Sequence, residues 1–427
     1  MEDVTFDGKP PTPPIPRRKR LQIEVREDGS LVIPPDLARR HGLAPGATVP
    51  VDELGNHLVL RQPVSLLAKV YLEPTNDCQL ACATCMRGSW DDPIGRMQPR
   101  VFDRILEGLQ GLPSIPAVFF GGIGEPLAHP DALEMLQQVK ALGARTELIT
   151  NGLALDERTI RELLATDLDL LWVSLDGASP ECYGETREAR ALPAILGNLR
   201  LLRSIMVRGD VRKPELGIAF VGTKRNAHEL ADVMRLGRRL EATRFSISNV
   251  QPHTPELGRE ILYERTAGQS PGAFTHFDVA RMDGGGGWDH DVAGIIADCG
   301  LHFADGRVST RAENACPFIE RGSTSVRWDG SVSPCLPLLH SHVAWLGPRR
   351  REIREHSFGS ITERSLAAIW NDEAYVAFRR RVQDFDFPPC VRCNSCDWVD
   401  SNQEDCFRSP PPACGGCLWA QGFILCP

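Results

Sequence analysis

Between residues 66 and 255, short β-rich runs alternate six times with longer amphipathic stretches. Strands are read at 69–73, 117–122, 146–150, 170–175, 217–221 and 244–250, and helical patterns at 99–110, 131–142, 156–165, 191–207 and 226–240. This order leaves few folds. Strands separated by helical crossovers pair in parallel, and the helices then cover the sheet from outside. The expected class is α/β, with the sheet curved into a full or partial barrel. In such folds the chemistry sits at the carboxyl ends of the strands, so the segment after each strand is where site residues belong.

Directly after the first strand stands Cys78-x3-Cys82-x2-Cys85. Three thiolates within eight residues of a loop can grip three irons of a [4Fe–4S] cube. The fourth iron is then open to a substrate or cofactor, whereas four-cysteine sites are closed. A zinc knuckle is the bland alternative. After the second strand comes Gly121-Gly122-Ile123-Gly124-Glu125-Pro126, where glycines allow close backbone approach to a ligand and Glu125 offers a carboxylate. Thr150-Asn151-Gly152 ends the third strand. Trp172 to Gly177 ends the fourth and sets Ser174 and Asp176 on one face by period-two alternation. Arg187 follows, Val250 lies after the sixth strand, and the isolated Cys182 reads as an ordinary buried thiol.

The rest of the chain is dominated by sulfur. Of 14 cysteines, ten lie from Cys299 onward. No secretory signal is read, so disulfides are disfavoured, the expected compartment is the cytoplasm, and the thiols point to metal or redox chemistry. No apolar run is long enough to cross a membrane. The net charge of −8 argues against a nucleic-acid binder. Cys316-x13-Gly330-x4-Cys335 is followed by Cys390, Cys393, Cys396, Cys406, Cys414, Cys417 and Cys426. Cys393/Cys396 with Cys414/Cys417 has respectable zinc-ribbon spacing, while Cys390-x2-Cys393-x2-Cys396 also suits ferredoxin-type ligation. His340-x-His342 is a weaker metal candidate.

Five units are expected. Residues 1–20 form a Pro-rich, basic tail, and 21–65 a small β-rich unit with an Asp28-Gly29 hairpin signal and a short helix ended by Gly42. Residues 66–255 carry the barrel. A linker at 256–298 contains Gly284 to Gly287, and 299–427 is the cysteine-rich unit.

The cysteine triad after the first strand is similar to the signature of the radical S-adenosylmethionine (SAM) superfamily. That resemblance implies a partial (β/α)6 TIM-like barrel, a [4Fe–4S] cluster on Cys78, Cys82 and Cys85, and SAM chelated to the open iron. It further implies SAM contacts at Gly122, Gly124, Glu125, Asn151, Ser174, Asp176, Arg187 and Val250. Thr84 departs from the aromatic residue often found before the third cysteine. The later cysteines resemble the SPASM extension, which implies one or two auxiliary [4Fe–4S] clusters. Cys316 and Cys335 then belong to the nearer one, Cys390 and Cys393 to the outer one, and Cys299, Cys396, Cys406, Cys414, Cys417 and Cys426 supply the remaining ligands. Residues 21–65 resemble the AbrB/SpoVT domain, read here as a docking module. The stretches around Cys316, Arg327 to His342 and Cys414 to Gly422 resemble radical SAM maturases associated with tungsten enzymes of the aldehyde:ferredoxin oxidoreductase type. The implied partners are a tungsten oxidoreductase and an electron donor such as ferredoxin or flavodoxin. The rival is a peptide maturase forming thioether or carbon–carbon crosslinks; a third reading is an iron–sulfur transcription regulator.

Overall fold

A computed structural model describes residues 23–43, 49–54, 57–90, 92–180, 187–263, 314–346, 349–391 and 396–427. The first unit holds two hairpins, β1 (Glu24–Val25) with β2 (Leu31–Val32) and β3 (Val51–Leu54) with β4 (His57–Leu60). Gly29, at φ 82°, makes the first turn, and the helix α1 (Pro35–Arg40) stops at Gly42, φ 65°. Val25, Leu31, Val51, Leu58 and Leu60 stay exposed on these hairpins.

The barrel strands follow as β5 (Lys69–Leu72), β6 (Ala117–Phe120), β7 (Thr146–Thr150), β8 (Leu170–Ser174), β9 (Glu215–Gly222) and β10 (Arg244–Asn249). Between them run α2 (Pro99–Gln110), α3 (Ala132–Ala141), α4 (Glu157–Ala165), α5 (Arg187–Arg208) and α6 (Leu230–Arg239). Pro99 starts α2 where a missing N–H costs nothing, and the Asp156 carboxylate caps α4 by accepting from Thr159 N at 2.8 Å. Each strand pairs in parallel with the next, from β5 to β10.

The strands are apolar on both faces, and alternation sorts their side chains into two cores. Val70, Leu72, Val118, Phe120, Leu171, Val173, Ile218 and Phe220 pack toward the helices. Tyr71, Phe119, Leu170, Trp172 and Ala219 point the other way, into the concave face.

The cysteine-rich unit is built onto this sheet. After α7 (Pro255–Arg259) and a short helix α8 (Pro317–Glu320), β11 (Ser323–Val326) pairs in parallel with β5, from Ser323 opposite Lys69 to Val326 opposite Leu72. Its hairpin partner β12 (Val332–Ser333) completes an eight-stranded sheet in the order β10-β9-β8-β7-β6-β5-β11-β12. The edge strands β10 and β12 do not pair, so the barrel is open. A hairpin of β13 (His342–Leu346) and β14 (Arg349–Ile353) then leads to α9 (Leu366–Trp370) and α10 (Glu373–Asp384). Phe318, Leu418, Trp419, Phe423 and Ile424 fill the concave face beside Tyr71 and Trp172. Among the described residues no helix is long and apolar enough to cross a membrane.

Candidate active site

The carboxyl rim of the barrel gathers the residues singled out in the sequence. The loop from Pro74 to Ser89 carries Cys78, Cys82 and Cys85, and Cys85 N donates to Cys82 O at 3.0 Å. Arg87 pins this loop from beneath, donating to the carbonyls of Asn76 (3.2 Å) and Leu80 (3.1 Å). The neighbouring turn is fitted to it. A Cβ on Gly124 would drive into Thr75 O and the Asn76 backbone, and one on Gly122 into the Glu73 side chain. Both glycines are therefore required by close approach of two rim loops.

Glu125 is 2% exposed, and its carboxylate accepts from Asn151 N at 2.7 Å and Leu127 N at 3.1 Å. Burial pushes its carboxyl up to about 7, against the pull of these backbone donors. The Asn151 amide reaches back to Cys78 Sγ at 3.7 Å. Burial also raises the Cys78 thiol, with Glu125 adding to the effect.

Beside the loop lies a pocket lined by Cys82, Thr84, Asn151, Ser174, Asp176 and Asn226, among others. It brings together three of the SAM contacts expected from sequence. Asp176 is held by Val221 N at 2.9 Å, and Thr84 Oγ1 donates to it at 3.5 Å. Val250 lies elsewhere, buried against Ile261 and Tyr263. Arg187 opens α5, but its side chain, like Cys182, Cys299 and Cys393, lies outside the described residues.

Three features escaped sequence reasoning. Thr84 ties the cysteine loop to Asp176, although in the sequence it stood out only as a departure from the aromatic residue often found before the third cysteine. Asn226 organises the carboxyl end of β9: its amide donates to Asp176 O and Val221 O, both at 2.9 Å, while Thr223 N donates to its oxygen at 2.7 Å. The pattern Thr223-x2-Asn226 is the signal available for this turn. Third, Glu73, buried at the end of β5, accepts from Ile123 N at 3.0 Å and meets His340 Nε2 at 2.9 Å, and the other ring nitrogen meets Asp92 at 2.7 Å. His340 thus joins the rim to the cysteine-rich unit. His342 is a different case: Nδ1 donates to His340 O, Nε2 faces the Gln251 amide at 2.9 Å, and burial brings it down to about 4, so it is a neutral hydrogen-bonding group.

The later cysteines fall into two sets. Cys316, Cys335, Cys414 and Cys417 line one cavity, whose wall also includes Gln251 and His342. Burial raises the Cys335 thiol, and Cys316, Cys417 and Cys414 raise it further. Cys316 is pushed up to about 12 in the same way, by burial and then by Cys417. Cys390 instead feels Cys406 and Cys396, and burial brings it to about 11. Cys426 stands apart, accepting from the Trp419 indole at 3.2 Å.

Comparison with known proteins gives the family. The radical SAM superfamily model matches residues 72–237, and the SPASM iron–sulfur cluster-binding domain matches 316–397. The tungsten-containing aldehyde ferredoxin oxidoreductase cofactor-modifying protein of Pyrococcus furiosus is 30% identical over 84% of this chain and 96% of its own length. The chain belongs to the radical SAM family. The PqqA peptide cyclase of Rhizobium meliloti is 27% identical, covering 78% of this chain and 80% of that protein. Streptococcus suis SuiB bound to S-adenosylmethionine shares the fold, with TM-score 0.51 and 15% identity over 82% of this chain and 74% of that one.

A radical SAM enzyme uses a [4Fe–4S] cluster and SAM, and a SPASM domain adds further iron–sulfur clusters. The residues present fit these groups. The rim loop carries three cysteines, and one of them, Cys82, lines the adjoining pocket with Thr84. The C-terminal cavity is lined by four part-buried thiols that resist ionising together unless a cation compensates them, as ligated iron does. Among the described residues, no three His, Cys, Asp or Glu converge on the position of a single ion.

Proposed function

We propose that this chain is a radical SAM maturase that acts on a tungsten-dependent oxidoreductase, at its pterin cofactor or its polypeptide. Similarity to the cofactor-modifying protein along nearly the whole of that relative supports the target. One observation carries the mechanism: a three-thiol rim loop and a four-thiol cavity hang from adjacent strands of one sheet.

Cys78, Cys82 and Cys85 hold the first cluster. When bound, the cluster and SAM together supply a 5′-deoxyadenosyl radical able to abstract a hydrogen atom from substrate. The remaining work is positional. Glu125, ionised, takes the ammonium of SAM, and Asn151 fixes the loop between that carboxylate and Cys78. Ser174 and Asp176 face the ribose and amino end of SAM from the pocket wall, and Gly122 and Gly124 let the Glu125 turn close on the cysteine loop. Arg187 pairs with the SAM carboxylate. Leu80, Leu192, Ile195 and Leu257 line the pocket and exclude water from the reacting centre.

Cys316, Cys335, Cys414 and Cys417 ligate the inner auxiliary cluster, and Cys390, Cys393, Cys396 and Cys406 the outer one. This partition leaves Cys299 and Cys426 outside both sets. With four thiols each, these clusters carry electrons and are not open to substrate. Cys406 is exposed, so the outer site is the side on which a cytoplasmic ferredoxin or flavodoxin exchanges electrons. The Gln251 amide oxygen is buried on the cavity wall without a hydrogen bond among the described residues.

Maturation of a ribosomal peptide is the second reading, favoured by the match to a peptide cyclase. Incubating reconstituted protein, SAM and dithionite with a tungsten oxidoreductase from the same organism, followed by mass spectrometry, separates the two. A mass change in that enzyme or its released pterin is expected. Modification of a short neighbouring peptide, with the oxidoreductase untouched, would reverse the assignment.

A further inference from the structure

One buried charge in the cysteine-rich unit is used by nothing described so far. Arg351, on β14, is 4% exposed. Among the described residues its guanidinium hydrogen-bonds only backbone carbonyls: Nε–H donates to Val399 O at 2.5 Å and Nη1–H to Gly416 O. A buried cation without an anion is strongly disfavoured, and a chain that keeps one supplies negative charge nearby. Arg351 lines the same cavity as Cys316, Cys335, Cys414 and Cys417 and stands against the glycine between the last two.

The sequence between the two sets is shaped around this side chain. Cys414-Gly415-Gly416-Cys417 is squeezed from both sides. A Cβ on Gly416 would run into the Arg351 guanidinium. A Cβ on Gly415 would run into Pro388 O and stand 3.4 Å from Cys390 Sγ. The glycine pair is therefore the seam between the sites, with the arginine against one side and the Cys390 loop against the other.

We propose that Arg351 is the electrostatic link between the two auxiliary clusters, a fixed cation that raises the reduction potential of both. Taking up an electron adds one negative charge to a cluster. Beside a desolvated guanidinium that added charge is favoured, and it is favoured at both sites, so the pair is matched for transfer between them. Arg351 is a positioning residue in this scheme, since it acts through the clusters and touches no substrate. The proposal rests on the assignment of the two thiol sets as cluster sites.

The test uses reconstituted full-length protein as wild type, Arg351→Gln and Arg351→Lys, with iron counts and redox titration followed by electron paramagnetic resonance. Arg351→Gln is expected to keep its iron while both auxiliary midpoints fall. At fixed potential the reduced-to-oxidised ratio should drop about tenfold, which is about 59 mV for a one-electron couple. The rim cluster should not move. Arg351→Lys keeps the charge and should recover most of the shift. Full iron with unmoved auxiliary midpoints in Arg351→Gln would overturn the proposal. So would loss of iron in both variants with the remaining clusters at wild-type midpoints, since the role would then be structural. Wild-type protein holding only about four irons would overturn the cluster assignment itself, and the proposal with it.

Discussion

The rim loop and the C-terminal cavity use the same ligand chemistry in opposite ways. The rim triad comes from eight consecutive residues on one loop, held by Arg87 and by the Gly124 approach. The cavity draws its thiols from Cys316, Cys335, Cys414 and Cys417, a span of about a hundred residues. A contiguous loop leaves one corner of a cube uncovered and faces a pocket. A set gathered from distant segments surrounds its cavity with protein. Openness at one site and closure at the other thus follow from how the ligands are distributed along the chain.

Substitutions should separate the two sites, beginning with the most severe. Cys82→Ala should reduce 5′-deoxyadenosine formation to background, and equal activity in that variant would end the rim assignment. Cys335→Ala should lower the iron content from about twelve to about eight per chain. SAM cleavage without substrate should continue while product formation stops. If this variant instead loses SAM cleavage, the sites are not independent and the comparison breaks.

Glu125→Gln should weaken SAM binding by roughly 10- to 100-fold, the worth of a charge-assisted hydrogen bond. The pH profile sharpens this. Without SAM the Glu125 carboxyl sits near about 7, raised from its usual value of 4.5, so the folded protein holds an extra proton between those values. Ligand-free stability should therefore fall as pH rises from about 4.5 through about 7, while SAM affinity should rise over the upper part of that window. Calorimetry across that range checks both slopes, and Glu125→Gln should flatten them. A wild-type affinity that does not change with pH would remove the counter-ion role.

The smallest effect is expected far from both sites. Asp169 accepts from Lys213 at 2.8 Å and pairs with Lys140, and these contacts hold its carboxyl below the usual range. A depressed carboxyl contributes stability above its unfolded value of 3.8 and loses it as pH falls. Asp169→Asn should lower the melting temperature by a few degrees near neutrality and converge with wild type in acid. Iron content and SAM cleavage should be unchanged.

The barrel was legible because its signals are local. Strands such as β6 and β8 are unbroken apolar runs, and the motifs follow them at the carboxyl ends, where backbone geometry alone places Cys78, Glu125, Asn151 and Ser174 on one rim. The partition of the later cysteines was not legible. Cys414 and Cys417 join Cys316 and Cys335 through packing of segments far apart in sequence, and spacing alone paired them equally well with Cys393 and Cys396. His340 was missed as a tie to Glu73 for the same reason, since 267 residues separate the partners. His340-x-His342 suggested a metal pair, but the two rings turn to different partners, Glu73 with Asp92 for one and Gln251 for the other.

The pairing of β11 with β5 has a consequence for dissecting this protein. A fragment ending before Cys316 would strip the partner from the strand that launches the rim loop. Lys69 to Leu72 would become a raw edge, with Tyr71 and Phe119 uncovered beside it, and such an edge is a template for another chain. The excised barrel should precipitate or self-associate where the whole chain stays dispersed. The barrel and the cysteine-rich unit are in that sense not separate modules, and a graft of either onto another scaffold would have to carry the shared ladder with it.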